Sequence, residues 1–435
     1  MEYWALAMFA VLFLLLLAGY PVAFTLGAIA LAFGSIFLGM GFFELLPFRI
    51  WGIMTNFTLL AVPLFVFMGV LLEKSGIAEE LLDTMGRLFG KVRGGLAISV
   101  VVVGALLAAT TGVVGASVVT MAVIALPVML KRGYAPSLAS GTIAASGTLG
   151  QIIPPSIILI LLGDVIGVPV GELFIAATIP GALLIAGYIL YIVWIAWRKP
   201  ELAPAMNATE EFDTGLALAV IKSLLPPLFL IIAVLGSIFF GVASPTESAA
   251  VGALGAMILA ALHKRLNLGN LREAMQKTTR LTSMVFIIFI GATAFGLVFV
   301  GMGGDRLILD IFSGLPGGKW TFLILSMLLI FLLGFFLDFI EICFIVVPVI
   351  APVAVHMGLD PLWFALLIAL NLQTSFLTPP FGFSLFYLKA SAPPTLKLQS
   401  IYQGIIPFVV LQIIVLALMI AFPQISLWLP GLMQD

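Results

Sequence analysis

Residues 147–160 read GTLGQIIPPSIILI. They lie in a stretch without a charge, Gly133 to Gly163, and two adjacent prolines stand in the middle of it. Proline has no amide hydrogen and clashes with the carbonyl four residues earlier, so Pro154 and Pro155 break a helix near its centre. Gly147 and Gly150 let the chain unwind there and approach its neighbours closely. The arrangement returns at residues 372–385, LQTSFLTPPFGFSL, where Pro379 and Pro380 stand 225 positions after the first pair.

The surrounding sequence says what solvent these breaks meet. Of 435 residues, 63% are hydrophobic and 9% charged, against about a quarter charged in soluble domains. The chain reads as an all-α polytopic membrane protein, since its apolar runs of roughly 20 residues suit helices rather than barrel strands. Spans are expected at about 5–18, 21–40, 56–72, 135–163, 173–197, 216–240, 246–262, 281–301, 361–388 and 400–422. The N-terminus lacks a basic leader and a clear cleavage site, so it reads as a first membrane helix. A net charge of −1 suggests no nucleic-acid partner. The single cysteine, Cys343, excludes an intramolecular disulfide and reads as a small packed side chain. There is no HExxH, GxSxG or metal-spaced Cys/His cluster, so no catalytic residues and no cofactor are expected.

Two segments, about 94–130 and 320–355, are too long for one crossing and marginal for two. Arg87, Lys91 and Arg93 precede the first, and Lys131 and Arg132 follow it. Cytoplasmic loops are enriched in Lys and Arg, so both ends belong on that side. The middle, ATTGVVGAS (109–117), suits the tip of a re-entrant hairpin buried in protein. The alternative is two short crossings with a tight turn. With this topology 16 of the 19 basic residues are cytoplasmic, the exceptions being Arg49, Arg306 and Lys319. Both termini then lie on the extracytoplasmic side, and 320–355 is a hairpin opening outward. Residues 78–92 and 266–280 read as helices lying in the interface. The longest polar stretch, about Arg198 to Thr214, reads as a loop.

Further landmarks repeat at nearly one offset. Pro21 answers to Pro245 (224 positions), Pro127 to Pro348 (221) and Gly133 to Gly358 (225). This predicts two homologous halves, 1–200 and 215–435, each with a hairpin and a broken helix (135–163 and 361–388). Five crossings per half place the second half upside down relative to the first. Inverted repeats with interrupted helices at the midplane are the architecture of secondary transporters.

The breaks and tips then become candidate sites for a hard cation, which takes carbonyl and hydroxyl oxygens. Candidate cation-binding residues in the first half are Thr110, Thr111, Gly112, Gly115, Ser117, Gly147, Thr148 and Gly150. In the second they are Gly334, Asp338, Glu341, Thr374 and Thr378. Gln151, Ser156, Asn371, Gln373 and Ser375 are candidates for contact with substrate. A carboxylate within a membrane segment is expensive and marks function by default, although Asp338 or Glu341 can instead be protonated or lie near the outer surface. Glu247, in SPTES, reads as a helix cap or surface charge.

The combination GYPVAF (19–24), ATTGVVGASVVTMAVIALPVMLKRGY (109–134), GTLGQIIPPS, SPTESAAVGA (244–253) and NLQTSFLTPPFGFSLFYLK (371–389) resembles the large membrane subunit, DctM, of tripartite ATP-independent periplasmic (TRAP) transporters. The resemblance runs from about residue 15 to 420. It implies a bacterial or archaeal inner-membrane protein that imports an organic acid on the sodium gradient. It further implies a small four-helix membrane subunit (DctQ type), here a separate polypeptide, and an extracytoplasmic binding protein (DctP type). The implied mechanism is an elevator, with 94–165 and 320–388 moving against the remaining spans. Alternatives are a stand-alone sodium/carboxylate symporter or ion antiporter, and a lipid-handling membrane enzyme. The particular acid, among C4-dicarboxylates, sialic acids, other sugar acids and keto acids, is not encoded legibly.

Overall fold

The computed structural model describes residues 1–112, 114–205 and 214–434, and side chains at 111, 214, 216, 217 and 434 are outside that description. The described residues form helices and turns with no strand. The first half runs α1 (Glu2–Leu17), α2 (Val22–Phe37), α3 (Leu46–Met54), α4 (Ala61–Lys74), α5 (Ile77–Leu88), α6 (Gly95–Thr111), α7 (Val114–Lys131), α8 (Pro136–Thr148), α9 (Ile157–Ile166) and α10 (Val170–Arg198). The second runs α11 (Thr214–Phe239), α12 (Pro245–Leu262), α13 (Leu268–Gly301), α14 (Gly304–Ser313), α15 (Gly318–Leu333), α16 (Phe339–Ile345), α17 (Val347–His356), α18 (Pro361–Leu377), α19 (Phe383–Ser391), α20 (Leu398–Ala421) and α21 (Gln424–Gln434).

Both expected helix breaks are present. α8 passes through a single tight turn, Leu149–Gln151, and stops before the prolines, and the chain becomes helical again at Ile157. α18 ends at Leu377 and α19 begins at Phe383. Both Pro–Pro bonds are cis. The long apolar segments fold as helical hairpins. α6 ends at Gly112, whose φ of +58° is a left-handed conformation that glycine adopts without Cβ strain, and α7 starts at Val114. In the second hairpin α15 ends at Leu333, and the returning arm is bent by 54° between α16 and α17. Pro348 removes an amide there.

Several expectations are revised. Residues 266–280 are not a separate interfacial helix: they continue into the expected span 281–301 as α13, 34 residues long. No glycine or proline interrupts Asn270–Ile290, and about 51 Å of helix exceeds the roughly 30 Å hydrocarbon core. By contrast the expected helix at 78–92 is separate (α5), because Gly76 turns the chain with φ +78°. The span at 56–72 is the second member of a bent pair, 56° from the stretch Met40–Met54. α3, α14 and α21 were not expected. Residues 206–213 of the expected polar loop lie outside the described residues.

The helices sort into two packed groups. α1, α2, α4, α5, α11, α12 and α13 pack on one another, led by α4 with α12 and α2 with α13. The hairpins and broken helices pack together, and α10 and α20 belong with them rather than with the first group. Residues 173–197 and 400–422, expected among the scaffold spans, thus pack on the hairpin group. The reason is steric: α20 lies backbone to backbone on α8, so that a Cβ on Gly404 would stand 1.9 Å from the Ser137 carbonyl oxygen. α4 and α5 against α6, and α13 against α16, form the seam between the groups.

Candidate functional site

Each hairpin tip sits at a helix break. A Cβ on Gly112 would lie 3.1 Å from the Ile157 side chain, and one on Gly150 would lie 3.1 Å from the Ala108 carbonyl oxygen. One on Gly147 would stand 2.3 Å from Val118. In the second half, Gly334 abuts Ser375, where a Cβ would fall 2.1 Å from the hydroxyl oxygen. The four glycines therefore mark close approaches of tip to break.

Most candidate hydroxyls are buried and turn back onto their own helices. Thr110 donates to the Leu107 carbonyl (2.9 Å), Thr148 to Ala145 (2.8 Å), Thr374 to Leu370 (2.9 Å), Ser375 to Leu372 (2.9 Å) and Thr378 to Thr374 (2.7 Å). This satisfies the proton and leaves each oxygen's lone pairs available. Ser117 is buried on α7, Asn371 donates to the Met327 carbonyl (2.6 Å), and Thr111 lies outside the described side chains. At both breaks a serine covers the carbonyl three residues before the first proline: Ser156 donates to Gln151 O and Ser384 to Phe376 O, each at 2.8 Å.

Asp338 and Glu341 form a capping box at the start of α16. Asp338 accepts from the Phe339 amide (2.7 Å), and Glu341 accepts from the Asp338 amide (3.1 Å). Asp338 also faces a cavity of about 110 Å³ on the seam. Its walls are Val62 and Val66 of α4 and Leu281, Met284 and Val285 of α13 on one side, and Gly115, Ile157, Phe376 and Tyr387 on the other. Both hairpins, both broken helices and the first helix group thus meet there. Among the described lining residues Asp338 alone carries a formal charge. Gly115 is pressed against the Tyr387 ring, its Cβ position 3.0 Å from the ring carbon that bears the hydroxyl. Thr110, Thr148 and Thr374 do not reach this cavity wall. Glu247 caps its own helix, accepting from the Ser244 amide at 2.8 Å.

A second polar cluster was not foreseen. Gln412 of α20 donates to the Tyr188 hydroxyl of α10 (2.8 Å) and approaches the Thr148 hydroxyl (3.4 Å). All three are buried. Gln373 comes within reach of Tyr188 without a well-aligned bond, and Gln151 is buried with its amide unpaired. Tyr188 and Gln412 are 224 positions apart, and Thr148 and Gln373 are 225 apart, which is the spacing of the proline pairs. That spacing was the available signal.

Comparison with known proteins places these features in a family. The sequence profile of the tripartite ATP-independent periplasmic transporter DctM component matches residues 9–425. The chain belongs to that family. It is 32% identical over 420 residues to the sialic acid TRAP transporter large permease SiaM of Vibrio cholerae, covering 96% of each chain. It is 30% identical over 377 residues to the C4-dicarboxylate TRAP large permease DctM of Pseudomonas aeruginosa, covering 86% of this chain and 87% of that one. In structure it is similar to the Alcanivorax borkumensis YdaH transporter, with TM-score 0.64 and 15% identity over 96% of this chain and 99% of that one. That likeness extends to the fold. The chain is thus a multi-pass membrane permease of a tripartite system rather than an enzyme.

Proposed function

We propose that this chain is the large permease of a sodium-coupled importer of an organic acid, handed over by an extracytoplasmic binding protein and supported by a small DctQ-type membrane subunit. The observation that carries the reading is the convergence of both hairpin tips and both helix breaks on the seam, beside the Asp338 cavity. Family membership supports the transporter class, and the relatives named for sialic acid and C4-dicarboxylates support a carboxylate as cargo.

In this reading the halves 1–200 and 215–435 are inverted repeats, and both termini face the outside of a bacterial or archaeal inner membrane. The hairpins are re-entrant, because each tip packs against the middle of a broken span. Backbone carbonyls at the breaks, with Ser117 and the hydroxyls of Thr110, Thr148, Thr374 and Thr378, ligate sodium, the four threonines offering oxygens whose protons are given to their own helices. Bound cations and the amide ends of α9 and α19 then favour an anionic substrate. The moving body is the hairpin group together with α10 and α20, sliding along the seam against α4, α5 and α13. Coupling requires that the loaded and empty forms differ in their freedom to slide.

The test is uptake by proteoliposomes containing this chain, its small subunit and its binding protein. Replacing external sodium by potassium should abolish accumulation of the acid. Equal accumulation in potassium overturns the coupling, and uptake without the binding protein reassigns the chain to a stand-alone symporter.

A further inference from the structure

A second cavity lies further along the same seam. It measures about 590 Å³, within the range of small-molecule sites. α13 and α16 line both cavities, one helical turn apart. Val285 and Ile340 face the Asp338 cavity, and Phe289 and Phe344 face the larger one. At the boundary Phe289 and Phe344 stack, with ring centroids 4.2 Å apart and planes 10° from parallel. One ring comes from each helix group, so the stack holds only while the two groups keep this register.

The larger cavity is lined by Arg49 of α3, Arg306 of α14, His356 at the end of α17 and, one turn beyond Phe289, Thr293 of α13. These arginines are two of the three basic residues that depart from the cytoplasmic bias of the sequence. Its two carboxylates are Asp164 and Asp305. Asp164 accepts a hydrogen bond from the Asn56 amide, and Asp305 sits in the first turn of α14, where the helix end is positive. Both arginines line the cavity and are exposed, Arg306 also bordering a neighbouring pocket with Glu2 and Asp305, and neither enters an ion pair among the described residues. A guanidinium presents paired donors that match a carboxylate, and the apolar walls suit the rest of a small organic molecule.

We propose that this outer cavity is a docking station for a small soluble carboxylate, held by Arg49 and Arg306 and closed from the Asp338 cavity by the Phe289–Phe344 stack. The assignment rests on the reading of the chain as an importer of organic acids. It deepens that reading by naming the first contact the acid makes within the permease.

The test uses the purified full-length chain in neutral detergent, with Cys343→Ala to remove the single, buried native thiol and Thr293→Cys as reporter. A negatively charged sulfonate thiosulfonate reagent and a positively charged trimethylammonium one of similar size are compared by labelling rate. The anionic reagent should react faster at Thr293→Cys. Arg49→Gln and Arg306→Gln should each lower the anion-to-cation ratio by roughly fivefold, the factor expected for one nearby charge in partly screened solvent. A ratio unmoved by losing both arginines, or a faster cationic reagent in the parent, overturns the station. Repeating the assay with phosphatidylglycerol distinguishes the source of the anion: protection by the lipid would give the cavity to a headgroup and overturn a soluble occupant. In the same background Val285→Cys should label faster once Phe289→Ala opens the stack, and an unchanged rate removes the stack as the barrier. These readouts need no sodium gradient, binding protein or uptake, so they stand apart from the outcome of the transport assay.

Discussion

The backbone contact between α8 and α20 predicts a large effect from one methyl group. Gly404→Ala would place a Cβ 1.9 Å from the Ser137 carbonyl oxygen, and Gly141→Ala would place one 2.1 Å from the Gly404 oxygen. Such contacts do not occur below 3.0 Å, so α20 must retreat from α8 by about 1.1 Å at that point. Neither obstacle is a flexible side chain. Overpacking a tight contact costs about 1–3 kcal/mol, and an ångström of separation forfeits a quarter to a half of each dispersion contact along the interface. Gln412 lies two turns along α20, and the same displacement carries it out of hydrogen-bonding range of Thr148 on α8, which it approaches at 3.4 Å, adding about 1 kcal/mol. The sum is about 2–4 kcal/mol, a fall of several degrees in apparent melting temperature. Gly27→Ala is the control: it lies within α2 with nothing inside 4 Å of its Cβ position, so it should be neutral or stabilising. Thermal unfolding of the purified proteins, followed by loss of the monodisperse chromatographic peak, reads the difference. Should Gly404→Ala melt with Gly27→Ala, the close packing of α20 on α8 is wrong.

Three further outcomes follow from named contacts. Gln412→Leu leaves the buried Tyr188 hydroxyl without its donor and should lower stability by about 1–2 kcal/mol, whereas Gln412→Leu with Tyr188→Phe should recover most of the loss in a thermal cycle. Asp338→Asn keeps an oxygen for the Phe339 amide and should stay within about 0.5 kcal/mol of the parent while changing the sodium dependence of uptake. Asp338→Ala loses the cap as well and should cost about 1 kcal/mol, so equal stability of the two variants would remove the capping role. Glu73, half-buried, accepts from both Lys277 (2.9 Å) and the Thr120 hydroxyl of the first hairpin (3.2 Å). Glu73→Gln should lower the melting temperature measurably, whereas Glu273→Gln, which breaks an exposed pair with Lys74, should leave it unchanged.

What the sequence disclosed depended on how local the cause was. The breaks were legible because two prolines remove two amides wherever they sit. The first hairpin was legible because basic residues flank both ends of an apolar run too short for two comfortable crossings. α3 was not legible: Phe48, Trp51 and Met54 all point outward, so no apolar stripe facing a core marks it as a helix. The join of 266–280 to 281–301 was missed because a charged segment and an apolar segment can share one helix that runs past the bilayer core. At the site, composition pointed to hydroxyls that are buried near the tips and breaks, and not to their orientation. Serine and threonine on a helix bond the carbonyl a turn back whether or not they also meet a ligand. Asp338 and Glu341 were singled out for charge alone, and their three-residue spacing, a capping-box signature, was overlooked.

The cluster around Tyr188 bears on how the two halves are related. Tyr188 and Gln412 hold equivalent places if the halves are repeats, as do Thr148 and Gln373. In an arrangement with two-fold symmetry, a contact between one residue and another implies the reciprocal contact between their counterparts. Thr148 approaches Gln412, so Gln373 should approach Tyr188, and it does. The remaining contact, Tyr188 with Gln412, joins a residue to its own counterpart and must therefore straddle the axis. Halves stacked by translation alone would not bring two equivalent pairs to one point, whereas a two-fold axis of either direction would. The node fits the proposal that the halves are two-fold-related repeats at the offset of the proline pairs, and inversion itself rests on the odd number of crossings expected in each half. It also explains why α10 and α20 travel with the hairpins in the proposed mechanism: their polar contact lies between the ends of the two broken helices, and sliding either helix away would bury those amides unpaired.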